Sequence, residues 1–269
     1  MARLPAGGIN VNVSVLSYSF RGLLTAGKID LFGYIESCKH RYGLGAADIW
    51  NGFLVGTDDD YLRKVRDALD EGELVLADLC VDKAHVWDDD AAIREGNHQN
   101  ALSHLRAAVT LGARFVRIDA GSRREEWSAA EFDHIVKRYK EYATFAHDHG
   151  FKMGAENHWG PEKAWVHLKK LIEAVDHPAF GISCHIGGWA GTQEEKDEAD
   201  RLVAPWVCHT HFPQATTDGS LEEKMANLRD AGYTGYYSAE FHGTANEYAE
   251  VGTQLARIRA VLSRWRSAG

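Results

Sequence analysis

Phe151-Lys152-Met153-Gly154-Ala155-Glu156-Asn157-His158-Trp159-Gly160 opens as a short apolar run and closes on a carboxylate, an amide, an imidazole and an indole. The opening reads as a buried β-strand and the close as the loop that follows it. Groups of that kind are costly to bury without partners, so their clustering where a strand becomes a loop points to a site, with a helix-capping loop as the plainer alternative. The pattern returns three times, in Phe180-Gly181-Ile182-Ser183-Cys184-His185, in Trp206-Val207-Cys208-His209-Thr210-His211 and in Tyr236-Tyr237-Ser238-Ala239-Glu240. Side chains at the carboxyl ends of consecutive parallel strands in a closed barrel converge on one mouth. Glu156, His185, His211 and Glu240 can then share one divalent cation, although whole helices separate them in the chain.

Working outward, candidate helix stops recur at Gly43, Gly72, Gly112, Gly150, Pro178, Pro205 and Gly232, at intervals of 27 to 40 residues. Glycine tolerates the left-handed conformation that ends a helix, and proline cannot continue one. Seven stops imply eight strand-helix units. Besides the strands above, apolar runs at Val11–Tyr18, Ala46–Trp50, Glu73–Leu79 and Arg114–Ile118 supply the first four. Their near-continuous apolarity suits strands covered on both faces.

Between them lie amphipathic patterns. Phe132, Ile135, Val136, Tyr139, Tyr142 and Ala143 keep three-four spacing behind a capping box of Ser128 and Glu131, and Ser220 with Glu223 repeats the device. Leu62, Val65 and Leu69 mark another face, and Pro161 suits a first helical turn ahead of Trp165, Leu168, Leu171, Ile172 and Val175. The acidic stretch from Thr192 to Asp200 reads as a solvated helix face. Alternating strands and helices call for parallel pairing with right-handed crossovers, and eight units favour an α/β fold of one (β/α)8 TIM barrel spanning residues 1–269. An open sheet is the alternative, but no G-x-G-x-x-G follows the first strand.

A net charge of -9 spread along 269 residues argues against nucleic acid or an anionic membrane surface as partner. Cys38, Cys80, Cys184 and Cys208 lack C-x-x-C spacing and read as reduced and buried, which places the protein in the cytoplasm. No run approaches the roughly 18 apolar residues of a membrane span, and no signal segment is evident, so a soluble protein is expected.

Within the strand ends, His209 shares a strand face with His211 and lies one layer deeper, as a support beneath the ligands or a polar-core group. Arg117 and Asp119 flank the fourth strand end, and Arg117 reads either as a pocket group or as an internal ion pair. Trp159 and Trp189 offer flat faces to a sugar or aryl ring, or pack in the core. His158 can hold substrate or cap the next helix. Two carboxylates and two imidazoles suit manganese, cobalt or zinc; magnesium prefers more oxygen. Manganese is the first choice.

The order Glu156, residue 185, His211 and Glu240 on strands five to eight resembles the xylose isomerase-like TIM barrel superfamily, the sugar phosphate isomerase/epimerase group that includes ketose 3-epimerases. Leu16-Ser17-Tyr18-Ser19-Phe20 and Glu156-Asn157-His158 are similar to that group as well. Two positions depart from it. His185 stands where the family usually has an aspartate ligand, and Asp48 stands near where many relatives have glutamate, with Trp50 after it facing the mouth. The resemblance implies a small carbohydrate substrate, a divalent metal held by Glu156, residue 185, His211 and Glu240, and proton transfer by Glu156 and Glu240 beside a polarised carbonyl. It also implies, as alternatives, a lyase on an oxidised sugar, keto-inositol or C-glycoside, and a non-catalytic sugar- or metal-binding barrel. An endonuclease of the same superfamily would need a basic track that this acidic chain lacks. Barrels of this kind often associate through outer helices, so a homo-oligomer or an accessory subunit is compatible with the reading.

Overall fold

A computed structural model describes residues 12–268. Eight strands run parallel in the order β1-β8-β7-β6-β5-β4-β3-β2, with helices between them. They are β1 (Val13–Val15), β2 (Ala46–Trp50), β3 (Val75–Val81), β4 (Phe115–Ile118), β5 (Lys152–Glu156), β6 (Phe180–His185), β7 (Val207–Pro213) and β8 (Tyr237–Glu240). The remaining seam, between β1 and β2, is joined by a bridge from Leu16 to Asp48. Tyr34 fastens it: its buried hydroxyl lies 2.6 Å from the Val15 carbonyl oxygen and accepts the Asp48 N–H at 3.0 Å. The result is a nearly closed (β/α)8 TIM barrel.

Among the described residues ten α-helices surround the strands: α1 (Arg21–Thr25), α2 (Leu31–Glu36), α3 (Asp59–Glu71), α4 (Ala91–Leu111), α5 (Ala129–Asp148), α6 (Trp165–Val175), α7 (Gln193–Val203), α8 (Gln214–Asp218), α9 (Leu221–Asp230) and α10 (Glu247–Ala268). Their apolar stripes meet the outer faces of the strands. Leu62, Val65 and Leu69 are the buried face of α3, and Ile135, Tyr139, Tyr142 and Ala143 that of α5. The Tyr139 hydroxyl adds a 2.7 Å bond to the Ile118 carbonyl, which pins α5 to β4.

Several local expectations shift. The Ser128–Glu131 capping box forms. Ser220 makes no side-chain cap bond, while Thr192 and Glu195, inside the stretch read as merely acidic, form a complete box. Pro161 sits in a 3-10 turn, Gly160–Lys163, rather than in the first turn of α6. Val11, the expected start of the first strand, lies outside the described residues, and Ser17–Phe20 turn into a 3-10 helix instead of extending that strand. The third strand begins two residues later than Glu73, because Glu73 itself takes the left-handed backbone (φ 51) that ends α3, where Gly72 was expected to do so. The strand also ends two residues later than expected, at Val81, so Asp82 directly follows it at the barrel mouth. No described helix is long and apolar enough to cross a membrane.

Candidate active site

The carboxyl ends of β5 to β8 bring Glu156, His185, His211 and Glu240 together, with one ligand-type atom from each lying within 4.8 Å of the others. Glu156 Oε1 is 2.8 Å from His211 Nδ1 and 3.6 Å from His185 Nδ1. His185 Nδ1 is in turn 3.2 Å from Glu240 Oε2, an oxygen that is buried and has no well-directed hydrogen bond. Asn157 sets the position of His185: its amide donates to the His185 carbonyl (2.8 Å) and its oxygen accepts the His185 N–H (2.7 Å). That reciprocal pair ties the end of β5 to the end of β6, a local reason for an asparagine directly after Glu156.

Arg117, on β4, is the cationic wall. Its Nε lies 3.2 Å from Glu156 Oε2, and its Nη1 lies 3.0 Å from both Asp82 Oδ1 and Asp119 Oδ2. The expected internal ion pair and the expected pocket position therefore coexist, since Arg117 also lines the pocket above the cluster. This pocket, of about 280 Å3, is walled further by Tyr18, Trp50, His158 and His242. Trp50 and Tyr18 meet edge to face at 5.1 Å, and the Trp50 indole donates to Asp82 Oδ2 at 2.7 Å. His158 Nδ1 is 3.1 Å from Asp119 Oδ2, and the Trp159 indole N–H reaches the same oxygen at 3.2 Å.

Three of the sequence-selected residues lie outside this pocket: Trp159, which lines a neighbouring one, Trp189 and His209. Trp189 is buried in the core, its indole donating to Asp200 Oδ1 at 2.7 Å, and does not line the pocket. His209 lies below the cluster, its Nε2 3.2 Å from Asp48 Oδ2. Asp48 is fully buried and accepts hydrogen bonds from Ser14 (2.6 Å) and from Ser238, so it braces the barrel interior rather than facing the mouth. Three groups went unassigned in the sequence: Asp82 on the pocket wall, Asp78 at 3.6 Å from His211 Nε2, and His242 at 3.0 Å from Glu240 Oε1. Asp82 directly follows β3, which runs to Val81 rather than to the expected Leu79, Asp78 lies inside that strand, and His242 stands two residues past a strand-end carboxylate.

The charges answer one another. Burial opposes ionisation of Glu156, but His211, His185 and Arg117 outweigh it and hold the carboxyl well below its usual range. Burial likewise opposes Glu240, and His185 and His242 bring it down. For His185 burial works against the proton, yet Glu240 and Glu156 raise the imidazole to about 9. His211 is raised well above the ordinary histidine range against the same penalty, chiefly by Glu156. Two carboxylates and two imidazoles that converge within 4.8 Å supply oxygen and nitrogen donors of the kind and number a divalent cation takes, so this donor set fits one.

No curated protein matches the sequence. Among solved structures, a D-psicose 3-epimerase determined in the presence of D-fructose superposes with a TM-score of 0.72 at 15% identity, covering 95% of this chain and 98% of its own. A probable 3-DHS dehydratase involved in petrobactin synthesis, from Bacillus anthracis, gives 0.70 at 14% identity over 94% of this chain and 100% of its own. A xylose isomerase-like TIM barrel protein from Mycobacterium smegmatis in complex with magnesium gives 0.71 at 15% identity over 87% and 90%. At such identities the likeness is one of fold. Residues 39–261 match the family described as xylose isomerase-like TIM barrel, and the chain belongs to that family.

Proposed function

We propose that this protein is a divalent-metal-dependent isomerase or epimerase of a keto sugar, with Glu156, His185, His211 and Glu240 as the metal ligands. The observation that carries this reading is the convergence of those four donors, within 4.8 Å of one another, beneath a pocket of about 280 Å3. When bound, the metal supplies Lewis-acid polarisation of a carbonyl. Two oxygens and two nitrogens favour manganese over magnesium, with cobalt and zinc as alternatives.

Glu156 and Glu240 approach the pocket from β5 and β8, so one carboxylate can take the proton from the carbon beside the carbonyl while the other returns one. Arg117 adds to His211 and His185 in keeping Glu156 ionised, and lies 3.2 Å from its second oxygen. His242 steadies Glu240 from the solvent side. His158 is placed to hydrogen-bond a sugar hydroxyl at the rim, and Tyr18 and Trp50 limit the access of water. The epimerase among the similar structures supports this reading; the dehydratase supports a second one, elimination from an oxidised sugar. The position of His242 beside Glu240 favours that second reading, since an imidazole there can give a proton to a leaving group. The four unpaired cysteines favour a reducing compartment, in keeping with the cytoplasm.

Heavy water tests the proposal. Manganese-loaded protein incubated with ketoses is expected to wash solvent deuterium into the carbon beside the carbonyl, and chelation to abolish it. Glu156→Gln should lose both metal occupancy and exchange. Elimination product without sugar interconversion selects the lyase, and metal binding without any exchange refutes both reactions.

A further inference from the structure

A second pocket, of about 350 Å3, opens beside the first, and residues 158 and 159 are the partition: His158 lines the metal-side pocket and Trp159 the neighbouring one. Both side chains are anchored on one oxygen, Asp119 Oδ2. The rest of the second pocket comes from the loops after β3 and β4 and from the start of α4, with His85, Trp87, Ile93 and Ser122 on its walls.

Those loops are locked to one another through their backbones. The Val86 N–H donates to the Asp119 carbonyl (3.0 Å) and that of Trp87 to the Ala120 carbonyl (2.8 Å), which extends the pairing of β3 with β4 past the strand ends. At Gly121 a Cβ would come within 2.3 Å of the Trp87 carbonyl oxygen, and at Gly160, where φ is +59, within 2.4 Å of that of Ser122. Only glycine permits loops this close, so the pocket is held open before any ligand arrives.

Its chemistry is that of a ring-binding site. Trp159 meets His85 edge to face at 5.4 Å, and Arg94 covers Trp87 at 4.5 Å. Ile93 adds apolar surface, 49% exposed. Indole and aliphatic surfaces pack against the C–H face of a sugar or against an aryl ring, and Asp88, Asp89 and Asp90 together with Arg123 give the edge groups of both signs to hydrogen-bond hydroxyls. The metal-side pocket, below the roughly 300–1,000 Å3 usual for ligand sites, has room for little more than one sugar ring.

We infer that the second pocket is a subsite for the second ring of a two-ring substrate, so that the protein acts on a glycoside rather than on a free monosaccharide. The reacting keto ring sits over the four donors, and an aryl or sugar ring crosses the partition to lie against Trp87 and Trp159. This inference rests on the proposed reading of the metal-side pocket as the reaction site.

The test is calorimetric and independent of turnover. Manganese-loaded protein is titrated with methyl and phenyl β-D-glucosides and with the 3-keto form of each. Each phenyl compound is expected to bind about tenfold or more tighter than its methyl counterpart, a difference of about 1.4 kcal/mol. Trp87→Ala should bring that ratio near one, and Ile93→Asp, at an exposed position that folding tolerates, should do the same. Equal affinities in the unaltered protein, binding of neither compound, or a ratio that survives both substitutions overturns the subsite. Failure of deuterium exchange with the ratio intact overturns the proposed reaction and leaves the subsite standing.

Discussion

Two of the buried charged clusters among the described residues are finished differently. Between α7 and α9, Lys224 is 2% exposed and its Nζ lies 2.5 Å from Asp197 Oδ1 and 2.8 Å from Asp200 Oδ2. Asp200 also accepts from the Trp189 indole (2.7 Å) and the Gly187 N–H (3.1 Å), so both its oxygens are satisfied. At the mouth, by contrast, Glu240 Oε2, Arg117 Nε and Asp119 Oδ1 are buried without a hydrogen bond. A polar network in low dielectric is rigid when complete and expensive when incomplete, so an incomplete one that also opens onto a pocket is where a ligand can complete it. The first cluster is a fastening. The second is the proposed site.

That contrast is broken most directly at Glu240. Glu240→Gln keeps the shape and removes the charge, and is expected to lower deuterium exchange by about 100- to 10,000-fold per folded molecule, the range for a lost acid-base group. Metal content, measured by mass spectrometry, should fall with it. If exchange per folded molecule is unchanged, the open cluster is no more functional than the closed one.

Lys224→Met is the reverse experiment. Removing one partner leaves the buried Asp200 carboxylate uncompensated, at a cost of about 3 kcal/mol, near the low end for a buried pair because Asp197 stays partly exposed. Urea denaturation should show the loss, while deuterium exchange of the folded fraction is retained. A stable variant with impaired exchange would place this cluster in the reaction and erase the distinction.

The same pair of clusters explains what the sequence made legible. Strand ends were readable because an apolar run that stops on an acid or an imidazole is a local signal, and the barrel turns that local signal into convergence; Glu156, His185, His211 and Glu240 needed no knowledge of the helices. The fold class was readable for the same reason, from repeated runs and stops. Trp189 was not, because its partner Asp200 sits in a stretch whose composition looks solvated, and only the packing of α7 turns that acid inward with Ala199 and Val203. Asp82 was hidden because β3 runs two residues past its expected end at Leu79, and Asp78 because it lies within the strand and not at its end, where no local signal marks it.

Glu162 falls between the two clusters and gives the smallest of the expected effects. It is fully buried in the turn after β5; Oε1 accepts the Ala120 N–H at 2.6 Å, and Oε2 has no partner. Burial, aided by the charge of Asp119, holds its carboxyl well above the ordinary 4.5 despite the backbone donors of Ala120 and Gly121. The unfolded chain ionises near that ordinary value and the folded chain only at higher pH. The stability this group contributes is therefore complete below about pH 4.5 and declines as pH rises from there through the raised folded value. Glu162→Gln mimics the neutral acid at every pH, so it should stabilise the protein by about 1 kcal/mol at pH 8 and leave it unchanged at pH 4. Denaturation midpoints at the two pH values measure this. A difference of the same size at both would mean that Glu162 carries its charge in the folded state, and that an incomplete buried cluster can persist in this barrel with no ligand to complete it.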